Sequence, residues 1–456
     1  MIVMKFGGTS VESAAAIKRV SGIVKARLAQ KPVVVVSAMG KTTNKLLAMA
    51  GEAVAGRRDE AVRLHTELRA FHFEEASKAI DDADRPQLEQ LLDGHFQELA
   101  AFLDELADLG EFPPQYVDLI SSYGERLSSE IVALAFRHFG VDAAHVDSRS
   151  VVITDRRYTQ ASPLYPRTYA KLEAVVKPLA ENQVVVMGGF IGSTQDGFTT
   201  TLGRGGSDFS ASIIGAGIGA TEIQIWTDVD GMLTCDPRIL PGGHRVKIIS
   251  FGEAAELAYF GAKVLHPATV VPAIDKNIPV LILNSRNPDS PGTRIVGDRV
   301  ATSNIVKSIA CKKDITVVNI RSLRMLMAHG FLRRIFEVFD RYSTSVDMVS
   351  TSEVSVSLTI DNAEMLDEIC AELRLIAEVT VDRNQAAVCL VGDNITHTPG
   401  ISARVFTALS KVNVRMISQG SSVLNMSIVV AGEDLRDAVE ALHTEFFSTV
   451  DPEVFD

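Results

Sequence analysis

Cysteine is scarce in this sequence, and the few cysteines are dispersed. The 456 residues include 4 cysteines, none with the CxxC spacing or the nearby histidine of a zinc site. They are Cys235, Cys311, Cys370 and Cys389. We therefore expect neither a disulfide scaffold nor a structural zinc site, and we interpret all four as reduced, mostly buried thiols.

Excess positive charge and long apolar runs are lacking as well. The formal net charge is −12 at pH 7, which argues against a general affinity for nucleic acid or anionic membranes, because both need a basic surface. No run reaches the ~18 apolar residues of a membrane span. Residues 1–7 have neither the basic n-region nor the apolar length of a signal peptide. A cytoplasmic location is the expectation that remains.

The Walker A phosphate loop, GxxxxGK[ST], is also absent from the chain, so any phosphate must be held by another kind of local site. In other respects the composition is that of a globular protein, with 46% hydrophobic and 22% charged residues. A chain of 456 residues is longer than one core usually fills, which predicts two or three domains.

Short apolar runs rich in β-branched residues alternate with helix-like segments in the first two thirds of the chain. The predicted strands are 2–6, 33–37, 184–187, 223–227 and 280–284. The predicted helices are 14–29, 59–109, 122–139 and 207–216. This alternation predicts an α/β domain with a mostly parallel sheet, which ends near the turn cluster at residues 287–292.

Beyond that cluster the pattern changes and appears twice. The first copy has strands at 315–321, 345–350 and 353–360, with helices at 331–342 and 362–373. The second copy has strands at 386–391, 413–418 and 423–430, with helices at 400–409 and 433–443. Each copy predicts a small α+β unit with helices on one face of a sheet. An early strand at 305–311 is expected to complete the second copy and interleave the two.

Two glycine-rich motifs suit phosphate or other anions. Residues 5–10 read Lys-Phe-Gly-Gly-Thr-Ser at the end of a predicted strand, where glycines let the backbone approach a phosphate and the lysine adds a cation. Residues 203–208 read Gly-Arg-Gly-Gly-Ser-Asp at the start of a predicted helix and suit an anion pocket. A tight turn is the competing interpretation of the first motif, and a helix cap is that of the second.

A third motif reads Trp-Thr-Asp-Val-Asp-Gly at residues 226–231, with Asp-Pro-Arg following at 236–238. Ligands of parallel α/β sheets bind at the carboxyl ends of strands, so Thr227 and Asp228 are expected at the rim of a site. A surface Asp-Gly turn is the alternative. The fragments at 124–126 and 261–267 are uninformative alone.

Taken together and in this order, the motifs resemble those of the aspartate kinases, members of the amino-acid-kinase superfamily, over nearly the whole chain. The motifs that carry the resemblance are residues 5–10, 37–44, 124–128, 188–190, 203–208, 226–231, 236–238 and 261–267. The two repeats resemble ACT domains, and the likeness is to the monofunctional, lysine-sensitive type. No homoserine dehydrogenase is expected, since the chain stops at Asp456.

The resemblance implies a three-layer αβα kinase domain with a mostly parallel sheet, followed by two α+β ACT regulatory domains of βαββαβ topology. The implied ranges are 1–299 for the kinase domain, 300–384 for the first ACT domain and 385–456 for the second. The implied activity is ATP-dependent phosphorylation of the aspartate side-chain carboxylate, the first step of the lysine, threonine and methionine pathway. ATP and Mg²⁺ are the implied cofactors.

The resemblance also implies roles for individual residues. Catalysis is assigned to Lys5 and Asp208. The residues implied to hold aspartate are Thr43, Glu125, Phe190, Arg204, Ser207 and Asp208. Those implied around ATP are Lys5, Gly7, Gly8, Thr9, Ser10, Thr227, Asp228, Arg238 and Lys263. One position departs from the family pattern, because Leu233 stands where a tyrosine near the adenine is common.

A regulatory site is implied between two ACT domains of different subunits. Its matching residues are Met325, Gly330, Phe331, Leu332, Val346, Asp347, Ser352 and Glu353. Two of them, Asp347 and Glu353, are acidic and suit a cationic amino acid. Lysine is the first expected effector and threonine the second, although Ala328 replaces a serine of the lysine-sensitive pattern. The alternatives are that no amino acid inhibits, or that these domains only build the oligomer. A homodimer or homotetramer through the ACT domains is expected.

Two alternatives to an aspartate kinase stay open. One is a kinase of the same superfamily that phosphorylates glutamate, acetylglutamate, carbamate or UMP, which the pairing of Arg204 with Glu125 and the double ACT tail disfavour. The other is an amino-acid-sensing protein with an inactive kinase fold. Loss of Lys5, Arg204 or Asp208 would favour that alternative, and all three residues are present.

Overall fold

The computed structural model describes residues 1–261, 267–298, 300, 302–323 and 329–456. The chain forms two compact units. The first comprises Met1–Gly231 and Val264–Asp298, and the second comprises Met232–Lys263 and Arg299–Asp456. The described residues 232–261, which lie within the predicted range 1–299, group with the second unit.

The first unit alternates strands and helices along the chain. Its elements are β1 (Ile2–Phe6), α1 (Ala14–Lys25), β2 (Pro32–Val36), α2 (Thr42–Val54), α3 (Arg58–Ser77), α4 (Arg85–Leu109), α5 (Pro114–His138), β3 (Ala143–Val146), α6 (Tyr165–Lys171), a π-helical turn (Leu172–Val176), α7 (Lys177–Ala180), β4 (Val184–Gly188), β5 (Ile191–Ser193), β6 (Thr199–Thr201), α8 (Gly206–Ile218), β7 (Glu222–Thr227), α10 (Val271–Asp275), β9 (Val280–Asn284) and β10 (Thr293–Val296).

The main sheet of this unit has the strand order β3-β4-β2-β1-β7-β9-β10. Its strands pair in parallel, except that β10 runs antiparallel to β9. All five predicted strands are present, and the mostly parallel sheet is confirmed. The sequence missed β3, because its residues Ala-Ala-His-Val lack the β-branched run that marked the other strands.

Both faces of the sheet are covered by helices. Along β1, Ile2, Met4 and Phe6 join the core formed with α1 to α5. The alternate residue Lys5 points to the other face, where α8 packs on β1 and β7. Alternate side chains of β1 therefore face the helical layers on opposite sides of the sheet, which gives the three αβα layers. The same alternation places the charged side chain of Lys5 at the end of an otherwise buried strand.

Among the helices of the first unit, two predictions differ most from the structure. The predicted helix 59–109 is two helices, α3 and α4, separated at residues 78–84. The predicted helix 122–139 begins earlier, at Pro114, since a proline suits the first turn of a helix, where its missing N–H has no partner to lose. The additional two turns of α5 carry residues of the site described below.

The second unit is built on antiparallel pairing. Its elements are β8 (Ile248–Ser250), α9 (Phe251–Tyr259), β11 (Val306–Arg321), α11 (Phe331–Arg341), β12 (Val349–Thr351), β13 (Ser355–Ile360), α12 (Leu366–Leu373), β14 (Glu378–Gly392), α13 (Ile401–Ala408), β15 (Met416–Gln419), β16 (Asn425–Ala431) and α14 (Leu435–Phe447). Six of these strands form one sheet, in the order β12-β13-β11-β14-β16-β15.

The two sequence repeats share this sheet through two long central strands. Residues 306–312 of β11 pair with 387–392 of β14, which in turn pair with β16 of the second repeat. Residues 316–321 of β11 pair with β13 of the first repeat. The predicted strands 305–311 and 315–321 are thus one strand, with an irregularity between Lys312 and Ile315, and its first half pairs with a strand of the second repeat.

Within the described ranges, no helix is both long enough and apolar enough to cross a membrane.

Candidate active site

A cavity of about 580 Å³ opens at the carboxyl edge of the main sheet in the first unit, where ligands of parallel α/β sheets bind. It is lined by Lys5, Gly8, Ser37, Ala38, Gly40, Thr43, Leu47, Val117, Ser121, Glu125, Thr159, Phe190, Thr201, Gly203, Arg204, Gly205, Gly206, Ser207 and Asp208. All six residues predicted to hold aspartate are among them, although they come from four separate stretches of sequence.

Lys5 and Asp208 meet inside this cavity. The Nζ of Lys5, on β1, lies 2.6 Å from the Oδ1 of Asp208, in the first turn of α8, and both side chains are largely buried. Strand β1 and helix α8 are adjacent layers of the fold, so the contact is fixed by packing. The pair places an ammonium group at the end of β1 and anchors it against a helix N-terminus.

Glu125 is the second charged group of the cavity, and it is buried. Its Oε1 accepts a hydrogen bond from the backbone N–H of Ala38 at 3.1 Å, and no described residue donates to its Oε2. Burial raises the pKa of Glu125 to about 8, opposed by the Ala38 hydrogen bond and by the nearby charge of Lys5. A buried carboxyl with a free oxygen in a cavity suits a cationic ligand group.

Arg204 is the free cation of the site. It is exposed at the rim of the cavity, and within the described part of the chain its guanidinium makes neither a hydrogen bond nor an ion pair. The flanking Gly203 and Gly205 both have positive φ, at 75° and 73°, which glycine adopts without strain. A planar guanidinium on such a loop is able to bind a carboxylate through two parallel hydrogen bonds.

The loop after β4 packs closely against the start of α8. A Cβ on Gly189 would lie 2.8 Å from the Cβ of Ser207, so only glycine fits there. The next residue, Phe190, has a φ of 64°, and its backbone N–H donates to the Oγ of Ser210 at 2.8 Å. A bulky residue in the left-handed region is strained, and such strain is typical of functional sites.

The residues predicted around ATP are only partly brought together. Lys5 and Gly8 line the cavity, whereas Gly7, Thr9, Ser10, Thr227 and Asp228 lie outside its lining. The hydroxyl of Ser10 is buried and lies 2.8 Å from that of Ser285. The nucleotide roles of these residues stay predictions.

Two further nucleotide residues lie elsewhere. Arg238 is in the second unit, where it forms a bidentate ion pair with Asp236, with a closest distance of 2.6 Å. Lys263 lies outside the described residues.

Sequence reasoning missed several polar residues of the lining, namely Ser121, Thr159 and Thr201. The spacing on α5 contained a usable signal: Asp118, Ser121 and Glu125 recur at three and four residues, which places them on one face of a helix. Thr159 and Thr201 had no such signal, since each reaches the cavity through a loop or hairpin whose position depends on the tertiary structure.

The predicted effector residues lie in the second unit, except Met325, which with Ala328 falls outside the described residues. The carboxylate of Asp347 is already paired, with Lys312 Nζ at 2.7 Å and the hydroxyl of Tyr259 donating at 3.1 Å. Glu353 is exposed, and Gly330 precedes α11 with a φ of 77°. Their binding of an effector stays a prediction.

Comparison with known proteins identifies the family of the chain. A model of the amino acid kinase family matches residues 1–284, and an ACT domain model matches residues 388–446. Aspartokinase 2, chloroplastic, from Arabidopsis thaliana is 39% identical over 98% of this chain and 84% of its own length. Lysine-sensitive aspartokinase 3 from Escherichia coli (strain K12) is 35% identical over 98% of this chain and 99% of its own. The chain belongs to the aspartokinase family.

Solved structures of the aspartokinase family share the fold over nearly the full length. Escherichia coli aspartokinase III in complex with lysine and aspartate has a TM-score of 0.85 at 34% identity, covering 98% of this chain and 99% of that one. The aspartate kinase of Clostridium acetobutylicum has a TM-score of 0.82 at 29% identity, covering 98% and 99%. The predicted family, fold class and activity are confirmed.

As a member of the aspartokinase family, the chain is an aspartate kinase. It catalyses the ATP-dependent phosphorylation of aspartate that opens the aspartate pathway, and it carries ACT regulatory structure beyond its kinase unit.

Proposed function

We propose that the cavity of the first unit binds L-aspartate with its side-chain carboxylate directed toward Lys5. Arg204 binds the α-carboxylate and Glu125 accepts hydrogen bonds from the α-ammonium group. The observation that carries this assignment is the charge complementarity of one cavity: a free guanidinium, a buried carboxyl with one oxygen unpaired, and a lysine anchored by Asp208. Thr43, Phe190 and Ser207 complete the walls around the substrate.

Catalysis in this arrangement depends on charge and position. The nucleophile is a carboxylate with a reference pKa of ~3.9, so it is ionised at pH 7 and needs no general base. An anion must approach an anionic phosphoryl group, and a fixed cation between them lowers that barrier. Lys5 supplies this cation, and the ion pair with Asp208 keeps its Nζ at the end of β1. In the glycine loop, the N–H groups of Gly8 and Thr9 would bind the ATP phosphates, whereas those of Gly7 and Ser10 donate to the carbonyls of Trp226 and Gly7.

We expect Mg²⁺ to bind mainly to the phosphates of the nucleotide and not to a cluster of protein side chains. The described residues contain no group of three or more His, Cys, Asp or Glu side chains arranged to hold a metal. Asp208 is the carboxylate on the Lys5 side of the cavity and would hold the ion beside the phosphates. When bound, Mg²⁺ neutralises phosphate charge during phosphoryl transfer.

Lysine is the proposed effector of the second unit, acting at the predicted effector residues in a homodimer or homotetramer joined through the ACT domains. Support comes from the Escherichia coli relative, which is lysine-sensitive and has been solved with lysine bound. Within this chain, the carboxylate of Asp347 already pairs with the ammonium group of Lys312 at 2.7 Å, so a lysine effector would take over or share this partner. A site of this kind couples effector binding to subunit arrangement, which is a physical route to inhibition.

The substrate assignment is tested by trapping acyl phosphate as hydroxamate in the presence of ATP and Mg²⁺. We expect product from aspartate, and none from glutamate or acetylglutamate. With the backbone held by Glu125 and Arg204, the longer side chain of glutamate misplaces its carboxylate, and acetylglutamate has no ammonium group for Glu125. Added lysine is expected to lower the rate and threonine to lower it less. Equal product from glutamate would refute the substrate assignment, and no acyl phosphate from any substrate would refute the proposed site altogether.

A further inference from the structure

Asp118 is a buried carboxylate that none of the predicted roles uses. It lies on α5 and is fully buried. Its Oδ1 accepts from the hydroxyl of Thr201 at 2.6 Å and its Oδ2 from the N–H of Thr201 at 3.0 Å, while the N–H of Thr159 lies 2.9 Å from both oxygens. Within the described residues no cation pairs with it. A buried charge held only by hydrogen bonds is costly, which points to a specific role.

The two residues that Asp118 holds belong to different segments, and both line the cavity. Thr159 lies in the loop between β3 and α6, and Thr201 ends β6. The segments also meet directly, because the N–H of Ala161 donates to the carbonyl of Thr201 at 2.9 Å. Thr159 has a φ of 70°, a strained conformation for a β-branched residue that persists only where its surroundings hold it.

The same contacts position the loop that carries Arg204. Thr201 precedes it by three residues, and the intervening Gly203 packs on the Thr159 loop so closely that a Cβ there would lie 3.1 Å from the Thr159 carbonyl oxygen. The position of the Gly203 to Gly205 loop therefore depends on the same two threonines that Asp118 holds.

Helix α5 connects this contact to the other end of the substrate. Asp118 and Glu125 are seven residues apart and so lie on the same helix face, about 10 Å apart along the axis at 1.5 Å per residue. One rigid helix thus carries Glu125 directly and the Arg204 loop through Asp118.

We propose that Asp118 is a positioning residue that fixes Arg204 relative to Glu125 and thereby sets the affinity for aspartate. The inference rests on the proposed function of the cavity, in which these two residues bind opposite ends of the substrate backbone. Asp118 touches neither substrate nor nucleotide in this role. It acts through Thr159 and Thr201.

The test compares Asp118→Asn with wild type in full-length protein by steady-state kinetics. The amide keeps the shape of the side chain but places an NH₂ group against at least one N–H donor. Loss of a charged hydrogen bond of this kind corresponds to roughly 10- to 100-fold, which we expect in the KM for aspartate, with the KM for ATP changed less than about threefold. Glu75→Gln is the matched control: Glu75 also accepts from a distant backbone N–H, that of Ala14 at 3.0 Å, but lies outside the cavity.

Two more conservative substitutions at Thr201 test the proposal if Asp118→Asn does not fold. Thr201→Val removes only the hydroxyl that donates to Asp118, and Thr201→Ser restores it. We expect the valine variant to raise the KM for aspartate and the serine variant to bring it back toward wild type.

Each result has one meaning. Equal KM values for aspartate in folded Asp118→Asn and wild type, or equal KM values in the two Thr201 variants, would overturn the positioning role. Equal increases in the KM values for aspartate and ATP would also overturn it, since they indicate general disruption of the protein. An inactive wild type would instead refute the proposed function of the cavity.

Discussion

The binding of aspartate should depend on pH through Glu125, and this dependence can be worked out from the structure. Burial raises the pKa of Glu125 to about 8 from an ordinary value of 4.5. In the free protein at neutral pH the carboxyl is therefore mostly protonated. To pair with the α-ammonium group of aspartate it must first release its proton, so each binding event at pH 7 releases close to one proton.

The size and sign of the effect follow from this linkage. Below the raised pKa the ionised fraction changes tenfold per pH unit, so the apparent affinity for aspartate should rise about tenfold between pH 6 and pH 7 and level off above about pH 8. The stability of the free protein has the opposite dependence. Unfolding lowers the pKa of Glu125, so its contribution to stability is present below about pH 4.5 and is lost as the pH rises toward 8.

Isothermal titration calorimetry of aspartate in two buffers of different ionisation enthalpy measures the proton count directly. Glu125→Gln should bind aspartate more weakly, release no proton and lose the pH dependence. Glu130→Gln is the control, because Glu130 lies five residues along the same helix and pairs with His95 outside the cavity. The reasoning is wrong if wild type releases no proton at pH 7, or if Glu125→Gln keeps the wild-type pH profile.

Three further predictions concern other charged groups. Lys5→Ala should lower kcat by about 10³-fold or more while aspartate affinity stays within about threefold, because Lys5 is proposed to act on the phosphoryl group. Single-turnover kinetics measure the first quantity and calorimetry the second, and near-normal turnover would exclude the role. Arg204→Lys should raise the KM for aspartate roughly 10- to 100-fold in hydroxamate kinetics, since an ammonium group cannot replace a bidentate guanidinium, and an unchanged KM would contradict the assignment. Asp347→Asn should weaken lysine inhibition at least about tenfold. Asp361→Asn is the control and should not weaken it, because it removes only the other carboxylate partner of Lys312. Equal inhibition curves for wild type and Asp347→Asn would place the effector elsewhere.

The order and nature of the motifs were readable from the sequence because each is a local pattern. Composition alone predicts the buried strand Ile2–Phe6 with the paired glycines that follow it. It also predicts the helix that starts at the Gly-Arg-Gly-Gly-Ser-Asp motif. The repeats after residue 300 were recognisable for the same reason, and their interleaving was inferred from one strand left over at 305–311. Resemblance to a known family then supplied the chemistry that no single motif specifies.

Properties that depend on distant parts of the chain were not readable. The sequence contains Glu125 in an unremarkable helical segment, and only the packing of α5 beneath the end of β2 buries its carboxyl and raises its pKa. Residues 232–261 lie in sequence between the two segments of the first unit and yet pack with the second, because contacts and not chain order define a unit. The break between α3 and α4 was missed, and one helix was predicted over 59–109, since both helices have the same periodicity.

By itself the sequence determined which residue types stand at the ends of strands and at the start of α8, and hence the class of ligand the chain is able to bind. Tertiary structure alone decided which of them share a cavity: Lys5 with Asp208, Glu125 with its free oxygen, and Arg204 on a loop held by Asp118 through Thr159 and Thr201. The reason is physical. Local patterns fix backbone conformation residue by residue, whereas burial, charge pairing and distance arise only when segments far apart in the chain pack together.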